Sequence, residues 1–181
     1  MYKRQLLIFY SDNGGYFPTP WLADKKGSLL EGGLRVPMVV SWPDVIEART
    51  TCDQPVTSMD FFPTFVHAAG GSTAEFTLLE GLDLKPLFQR SSKLDRDALY
   101  WHFPHNRKVS HSMGSTILDS DWKYYQGYGL VEDALYNLKD DPLEKSNVID
   151  TNPELASKLR TKLNAWLTRV SATMPKTNSA K

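Results

Sequence analysis

The sequence of 181 residues has little that would indicate a membrane protein, a disulfide scaffold or a nucleic-acid-binding protein. Its single cysteine, Cys52, excludes an internal disulfide and any zinc cluster built on several cysteines. No segment approaches the roughly 20 apolar residues that a helix needs to span a bilayer. The 21 basic and 21 acidic residues cancel to a formal net charge of zero, so no overall field attracts nucleic acid or an anionic membrane. Any anion must therefore be recognised by a local group of side chains.

A strand that ends in a polar loop is the most informative local pattern. The apolar run from Leu6 to Tyr10 predicts a buried β-strand, and it stops at the sequence Ser-Asp-Asn-Gly-Gly of residues 11–15. In open α/β sheets, ligands bind beyond the carboxyl ends of the strands. A carboxylate beside a carboxamide, here Asp12 and Asn13, suits a hard divalent cation such as calcium or magnesium. Because Asp, Asn and Gly also form ordinary turns, a simple turn is the alternative interpretation.

Two further motifs make this region resemble a known family. Lys26-Gly27-Ser28 is followed by the sequence Glu-Gly-Gly-Leu-Arg-Val-Pro at residues 31–37. The spacing of these motifs from Asp12 and Asn13 resembles that of the sulfatase family, part of the wider alkaline-phosphatase-like superfamily. The resemblance runs from residue 6 to about residue 170, with further matches at residues 55–64, 81–88, 121–124 and 135–144.

The secondary-structure signals fit an α/β protein with a second, smaller module. A short strand is predicted at residues 36–41, and a helix at residues 61–69 that ends at a Gly-Gly pair. The later part of the chain predicts four strands of a small antiparallel sheet, at residues 98–103, 115–119, 122–126 and 134–138. A final helix follows the N-cap Asn152, and its apolar stripe from Leu155 to Val170 should pack on that sheet.

The resemblance implies how these elements divide into domains. We expect residues 1–92 to form the carboxyl-terminal part of the catalytic α/β domain, which is the closing part of an alkaline-phosphatase-like sheet sandwich. Residues 93–181 then form the carboxyl-terminal α+β subdomain, a four-stranded antiparallel sheet packed by the last helix. The polar segment between residues 89 and 96 supplies the boundary.

The resemblance also implies an essential motif that this sequence lacks. Sulfatases carry, upstream, a Cys-x-Pro-x-Arg or Ser-x-Pro-x-Arg motif whose Cys or Ser becomes the nucleophile, formylglycine. Cys52 has proline at the wrong offset, and the Ser-x-Pro that begins at Ser41 has Val45 in place of arginine. We therefore expect a carboxyl-terminal fragment that is inactive alone. Residues 1–5 resemble neither a signal peptide nor a strand, which suggests a non-native leader, and the family implies a periplasmic, extracellular or lysosomal location.

The resemblance assigns roles to the polar residues of the first motifs. Asp12 and Asn13 match metal-ligand positions of the family, for Ca²⁺ or Mg²⁺. Lys26 matches a lysine that contacts the sulfate group, where a fixed ammonium stabilises the negative charge that develops during transfer. Lys25 stands where the family often has glycine and fits an ordinary solvated loop charge. Trp21 replaces a frequent proline, which leaves the path of this loop open.

A charged pair in the last of these motifs indicates a structural contact. Glu31 and Arg35 flank a pair of glycines and precede a strand, so we expect a buried salt bridge between them rather than reacting groups. Their role would be to support the loop that carries Lys26.

The histidine-containing segment after the first strand of the second module is a candidate substrate contact. In sulfatases this subdomain lies close to the active-site cleft, so the resemblance implies that His105, Asn106 or Arg107 touches the leaving group. A strand that ends in an exposed loop explains the same residues without a function. His67 and His111 receive no role.

The aromatic residues of the second module favour core packing over stacking on a sugar or an aryl group, because strands are enriched in aromatics. They are Trp101, Phe103, Trp122, Tyr124, Tyr125, Tyr128 and Tyr136.

Two classes of function remain open. The first is hydrolysis of a sulfate ester, on a small molecule or a carbohydrate, by an intact enzyme that uses formylglycine and a divalent metal. Hydrolysis of phosphate or phosphonate esters is a variant of this class, because the superfamily shares the metal site. The second class is a truncated, non-catalytic module that only binds or assembles. Asp12, Asn13 and Lys26 favour the first class, because a decayed site would not need to keep them.

Overall fold

The computed structural model describes residues 4–129 and 131–176. Its elements are, in chain order, β1 (Leu7–Tyr10), α1 (Glu31–Leu34), β2 (Met38–Ser41), a 3-10 helix (Ser58–Asp60), α2 (Phe61–Ala68), α3 (Lys85–Phe88), β3 (Leu99–Phe103), β4 (Gly114–Asp119), β5 (Trp122–Gly127), β6 (Ala134–Asn137) and α4 (Pro153–Arg169). They form two compact units, one with the chain up to Phe9 and Met38–Arg96, the other with Tyr10–Pro37 and the chain from Asp97 onward. No helix of the described residues is long and apolar enough to cross a membrane.

In the first unit, a buried aspartate organises the start of α2. The carboxylate of Asp60 accepts hydrogen bonds from the N–H groups of Thr57 at 2.8 Å and Leu82 at 2.9 Å, and it pairs with Arg96 at 2.5 Å. The hydroxyl of Thr64, one turn along the helix, donates to the Asp60 carbonyl at 2.6 Å. Asp60 is fully buried, so its charge depends on these donors. The Asp-x-x-Pro-Thr sequence therefore forms a helix-start motif.

The first strand is present, but its burial differs from the prediction. β1 and β2 form a two-stranded sheet. Leu7 and Phe9 lie on one face of β1 and are 66% and 67% exposed, so the expectation of a buried strand is wrong for this chain. The reason is that the described residues leave this face of the sheet largely uncovered.

The second unit contains the antiparallel sheet that the sequence predicts. Its strand order is β3-β4-β5-β6, with each strand hydrogen-bonded to the next. Helix α4 packs on one face. The core there consists of Ile117, Tyr124 and Leu135 from the strands and Ala156, Leu159, Leu163 and Leu167 from α4. The four strands and the final helix are thus confirmed, with small differences at their ends.

The cap of α4 differs from the prediction in detail. Asn152 precedes the helix as expected, and its carbonyl accepts the first helical N–H, from Ala156 at 3.0 Å. Its side-chain amide donates instead to the Val148 carbonyl at 3.0 Å, so no side chain caps the helix. Glu154 in the first turn still complements the helix dipole.

The opposite face of the sheet is covered by the segment that follows Lys26. Tyr125 and Tyr136 pack with Leu29 and Leu30 in a second core. Tyr124 and Tyr125 are both fully buried, because neighbouring residues of β5 point to opposite faces and both faces are covered. Core packing is therefore confirmed for these tyrosines, and residues 29 and 30 attach the preceding turn to the sheet.

Candidate active site

Contact between glycine backbones joins the loop after β1 to the start of α1. The N–H of Gly14 donates to the carbonyl of Gly33 at 3.1 Å. A Cβ atom on Gly14 would lie 1.9 Å from the carbonyl oxygen of Gly32, far inside any contact distance. Only glycine fits at this position, because the two backbones approach without room for a side chain.

A tight turn presents Lys26 beside the same loop. Its N–H donates to the carbonyl of Gly15 at 2.9 Å, and the N–H of Ser28 closes the turn onto the carbonyl of Lys25 at 3.1 Å. Gly27 has a φ of 95°, a conformation that favours glycine. The Lys26 side chain is exposed and takes part in no ion pair within the described part of the chain. Its ammonium is available to an anion.

Asp12 and Asn13 lie directly after β1. The hydroxyl of Ser11 donates to the Asn13 carbonyl at 2.9 Å, which shapes the turn through the backbone rather than through either candidate side chain. The Asp12 side chain is exposed and that of Asn13 is half-buried. Carboxylate and amide oxygens are ligands that Ca²⁺ prefers, but the ion takes roughly six to eight oxygens. The two residues therefore fit as part of a metal site.

The described ranges 4–129 and 131–176 contain no group of three or more His, Cys, Asp or Glu residues that could hold a metal. A site at Asp12 and Asn13 would consequently need further ligands, and this pair alone should bind Ca²⁺ weakly.

The loop that contains Arg107 packs on the Lys26 turn. A Cβ atom on Gly27 would lie 3.7 Å from Cγ of Arg107 and 3.6 Å from Cγ2 of Val109, which are ordinary contact distances. Ser112 closes this loop, because its hydroxyl accepts from the Arg107 N–H at 3.2 Å and donates to the Arg107 carbonyl at 3.1 Å. The structure thus brings one candidate substrate residue next to the turn of the candidate sulfate-binding lysine.

His105 and Asn106 lie in the same loop and are exposed. The ring of His105 meets the ring of Phe103, the last residue of β3, edge to face with 5.2 Å between centroids. This arrangement fits both interpretations of the sequence, a substrate contact and a strand that ends in an exposed loop.

His111, which received no role from the sequence, ties the Lys26 turn to the sheet. Its carbonyl accepts a hydrogen bond from the Leu29 N–H at 3.0 Å. Its ring nitrogens lie 2.6 Å from the Ser110 hydroxyl and 3.2 Å from the Tyr136 hydroxyl. Two of these partners, Leu29 and Tyr136, come from distant parts of the chain, so no local pattern could have revealed them.

The environment of His111 favours its neutral form. Burial lowers the pKa of its imidazole, the positive charge of Lys123 acts in the same direction, and the carboxylate of Asp24 opposes both. The ring therefore serves as an uncharged hydrogen-bonding support for the turn at neutral pH.

A buried lysine holds the start of α1. Nζ of Lys123 lies 3.0 Å from Oε1 of Glu31 and 2.9 Å from Oε1 of Glu144, the latter contact being an ion pair without hydrogen-bond geometry. The Glu31 N–H also donates to Oε2 of Glu144 at 2.6 Å. Burial raises the pKa of the Glu144 carboxyl, which Lys123 partly offsets. The expected salt bridge between Glu31 and Arg35 is wrong, because Glu31 pairs with Lys123 while Arg35 is exposed.

Comparison with known proteins gives consistent similarities. Residues 21–172 match a family model described as N-sulphoglucosamine sulphohydrolase, C-terminal. A sulfatase from Formosa agariphila is 35% identical over 94% of this chain and 34% of its own length. Among solved structures, Ps i-CgsB in complex with k-i-k-neocarrahexaose has a TM-score of 0.78 and 30% identity over 91% of this chain and 37% of that chain.

A second solved structure, a protein in complex with its substrate D-glucosamine-2-N,6-O-disulfate, has a TM-score of 0.71 and 25% identity. The alignment covers 96% of this chain and 36% of that one. The chain thus spans about a third of the length of these proteins, between 34% and 37%.

Proposed function

We propose that this chain, which belongs to the sulfatase family, provides one side of the site at which the complete enzyme hydrolyses sulfate esters. The observation that carries the proposal is the backbone contact of Gly14 with Gly33 and of Gly15 with Lys26. It holds the segment that carries Asp12 and Asn13 next to the turn that carries Lys26. This combination suits a sulfate ester, whose oxygens gain negative charge as the ester bond breaks.

Each candidate residue has a role under this proposal. Lys26 is the catalytic residue of this chain, because its ammonium contacts the sulfate and stabilises the charge that develops there. Asp12 and Asn13 hold the divalent metal, Ca²⁺ or Mg²⁺, through carboxylate and amide oxygens. When bound, the cation supplies further positive charge at the sulfate oxygens. The nucleophile, formylglycine, would come from a Cys/Ser-x-Pro-x-Arg motif, which this sequence does not contain.

The residues around Lys26 would support and extend the site. His105, Asn106 and Arg107 would contact the leaving alcohol, and the packing of Arg107 against Gly27 supports this assignment. Glu31 would have an indirect, structural role, because its ion pair with Lys123 fixes the start of α1. Arg35 would contribute to the same support only through its backbone. Its N–H donates to the carbonyl of Glu31 at 2.7 Å.

The substrate class that we propose is a sulfated carbohydrate. The solved relatives bound to neocarrahexaose and to glucosamine disulfate support it, because both ligands are sugars. A periplasmic, extracellular or lysosomal location would expose the enzyme to such substrates. We further propose that residues 1–92 belong to the catalytic α/β domain and residues 93–181 to the carboxyl-terminal subdomain.

The test compares single substitutions in the complete enzyme with an aryl sulfate and an aryl phosphate as substrates. Lys26→Ala should lower kcat for the sulfate by about 10²- to 10³-fold, as the loss of one preorganised charge-stabilising group does. Lys158→Ala, at an exposed position of α4, is the matched control and should change kcat little. Equal activity of the two variants would reject the role of Lys26, and a preference for the phosphate would reject the sulfatase function.

A further inference from the structure

Three aromatic side chains follow the loop of Asp12 and Asn13 and are exposed. The exposed fractions of Tyr16, Phe17 and Trp21 are 75%, 78% and 69%. Single exposed apolar residues are common, but several within a short segment indicate a binding surface, because water penalises exposed apolar rings. We call these three side chains the aromatic platform.

The geometry of the platform leaves ring surface open to a ligand. The rings of Tyr16 and Phe17 meet edge to face, with 5.4 Å between centroids and 83° between planes. Such a pair uses the edge of one ring and one face of the other. Because both residues are largely exposed, ring surface remains open to the apolar C–H face of a sugar ring.

A cation accompanies the rings. Nζ of Lys25 lies 6.0 Å from the centroid of the Tyr16 ring, at the outer limit of a cation–π contact. A ring face beside an ammonium suits a ligand that is apolar on one face and carries an anionic substituent. A sulfated sugar has both properties, whereas an inorganic anion has no ring face and a neutral aryl group has no charge.

The position of Gly15 connects the platform to the proposed sulfate site. Its carbonyl accepts the Lys26 N–H at 2.9 Å, and Tyr16 is the next residue of the chain. The sulfate of a substrate is a substituent of its sugar. The proposed sugar contact and the proposed sulfate contact are therefore carried by two segments whose backbones hydrogen-bond to each other.

We propose that the aromatic platform and Lys25 form a subsite for a sugar ring of a sulfated oligosaccharide, and so help to determine which sulfate ester is accepted. The proposal rests on the sulfatase function proposed above. In this subsite the rings of Tyr16, Phe17 and Trp21 recognise the sugar, and Lys25 recognises an anionic substituent of it.

The test measures binding of sulfated neocarrahexaose and of its chemically desulfated form to this chain by isothermal titration calorimetry. Tyr16→Ala and Trp21→Ala should each weaken binding of both forms by about threefold to tenfold, the loss expected for one stacked ring. Lys25→Ala should weaken only the sulfated form, and Lys25→Arg should retain binding because it keeps the charge over the ring. Phe76→Ala, which removes an exposed ring of the other compact unit, is the matched control and should bind as the unchanged chain does.

Three results would overturn the proposal. The first is undetectable binding of the hexasaccharide to the unchanged chain at millimolar concentration. The second is a variant with alanine at all three platform positions that binds as tightly as the unchanged chain. The third is a lower unfolding temperature of Tyr16→Ala and of Trp21→Ala with unchanged affinity, which would assign these rings to packing against the rest of the chain.

Lys26→Ala separates this proposal from the proposed function. If it leaves the preference for the sulfated form intact while the platform variants weaken both forms, the platform stands and the sulfate site is wrong. If it abolishes that preference while the platform variants bind normally, the sulfate site stands and the platform is wrong.

Discussion

Lys123 of β5 and Glu31 of α1 form a buried ion pair, with 3.0 Å between Nζ and Oε1. Glu144 shares the same ammonium at 2.9 Å, so two carboxylates depend on one lysine. The side chains of Lys123 and Glu144 are only 1% and 0% exposed. Because Glu31 begins the helix that contacts Gly14, this pair attaches the candidate site to the sheet.

Replacing Lys123 should destabilise the chain strongly. Lys123→Met keeps much of the side-chain volume but leaves two buried carboxylates without a counterion, which should lower the free energy of unfolding by about 3–5 kcal/mol. Lys158→Ala, at an exposed position of α4, should change it by less than about 0.5 kcal/mol. Urea unfolding followed by circular dichroism measures both. A Lys123→Met variant as stable as the unchanged chain would mean that the ion pair contributes nothing.

A methyl group at Gly14 should separate the two loops of the candidate site. In Gly14→Ala the new Cβ would meet the Gly32 carbonyl, so we expect a loss of about 1–3 kcal/mol, as for other overpacked sites. Gly15→Ala is the matched control, since its Cβ would lie 3.3 Å from the Phe17 carbonyl oxygen, a tight contact that a shift of a few tenths of an ångström relieves. Hydrogen exchange of the Gly14 amide should accelerate in the first variant much more than in the second. Equal protection in both would contradict the glycine contact.

The half-buried His111 should make stability depend on pH. Its folded-state pKa is lowered below the ordinary value of 6.5, so the unfolded chain binds the proton more readily. The contribution of His111 is therefore fully present above pH 6.5 and is lost as the pH falls through the folded-state pKa. The measurement is urea unfolding at a series of pH values, with the imidazole pKa obtained by NMR titration.

His111→Gln should flatten this pH dependence below pH 6.5, because the residue that titrates is gone. A pKa for His111 above 6.5 in the folded chain would contradict the expected direction.

Leu163 should contribute more to stability than exposed leucines do. It is fully buried between α4 and the sheet, so Leu163→Ala should cost about 2–5 kcal/mol through lost burial and the cavity left behind. Leu78 is 93% exposed, and Leu78→Ala should have almost no effect. Thermal and urea unfolding compare the two variants directly. Similar losses in both would place the core elsewhere.

The isolated chain should not turn over an aryl sulfate, even with added Ca²⁺. Its sequence contains no Cys/Ser-x-Pro-x-Arg motif to supply formylglycine, and Asp12 and Asn13 offer too few metal ligands by themselves. The assay follows release of the aryl alcohol with Ca²⁺ and with a chelator. Hydrolysis that depends on Ca²⁺ would show that this chain holds a complete site.

The sequence predicted well where the signal is local and periodic. The strands β3–β6 appear where short strand-like runs predict them, and helix α4 appears where its apolar stripe does, because one buried helix face constrains every third and fourth residue. The family, inferred from motif spacing, is confirmed. The roles of Asp12, Asn13, Lys26, His105, Asn106 and Arg107 stay predictions.

The errors occurred where a residue meets a distant partner. The sequence predicts that Glu31 pairs with Arg35, because both lie in one motif, but the partner of Glu31 is Lys123 of β5. The apolar run from Leu6 to Tyr10 predicts a buried strand, whereas burial depends on what else packs on β1.

The sequence by itself determined the main strands and helices of this protein, the family to which it belongs and the spacing of the motif that contains Asp12 and Lys26. These features depend on residue type and short spacing, which the chain carries locally. Only the tertiary structure decided which groups support the motif. The supporting groups come from distant parts of the chain and are Lys123, Glu144 and His111. They meet the motif because the sheet that contains Lys123 packs against residues 29 and 30. A buried charge takes whichever partner that packing brings within reach.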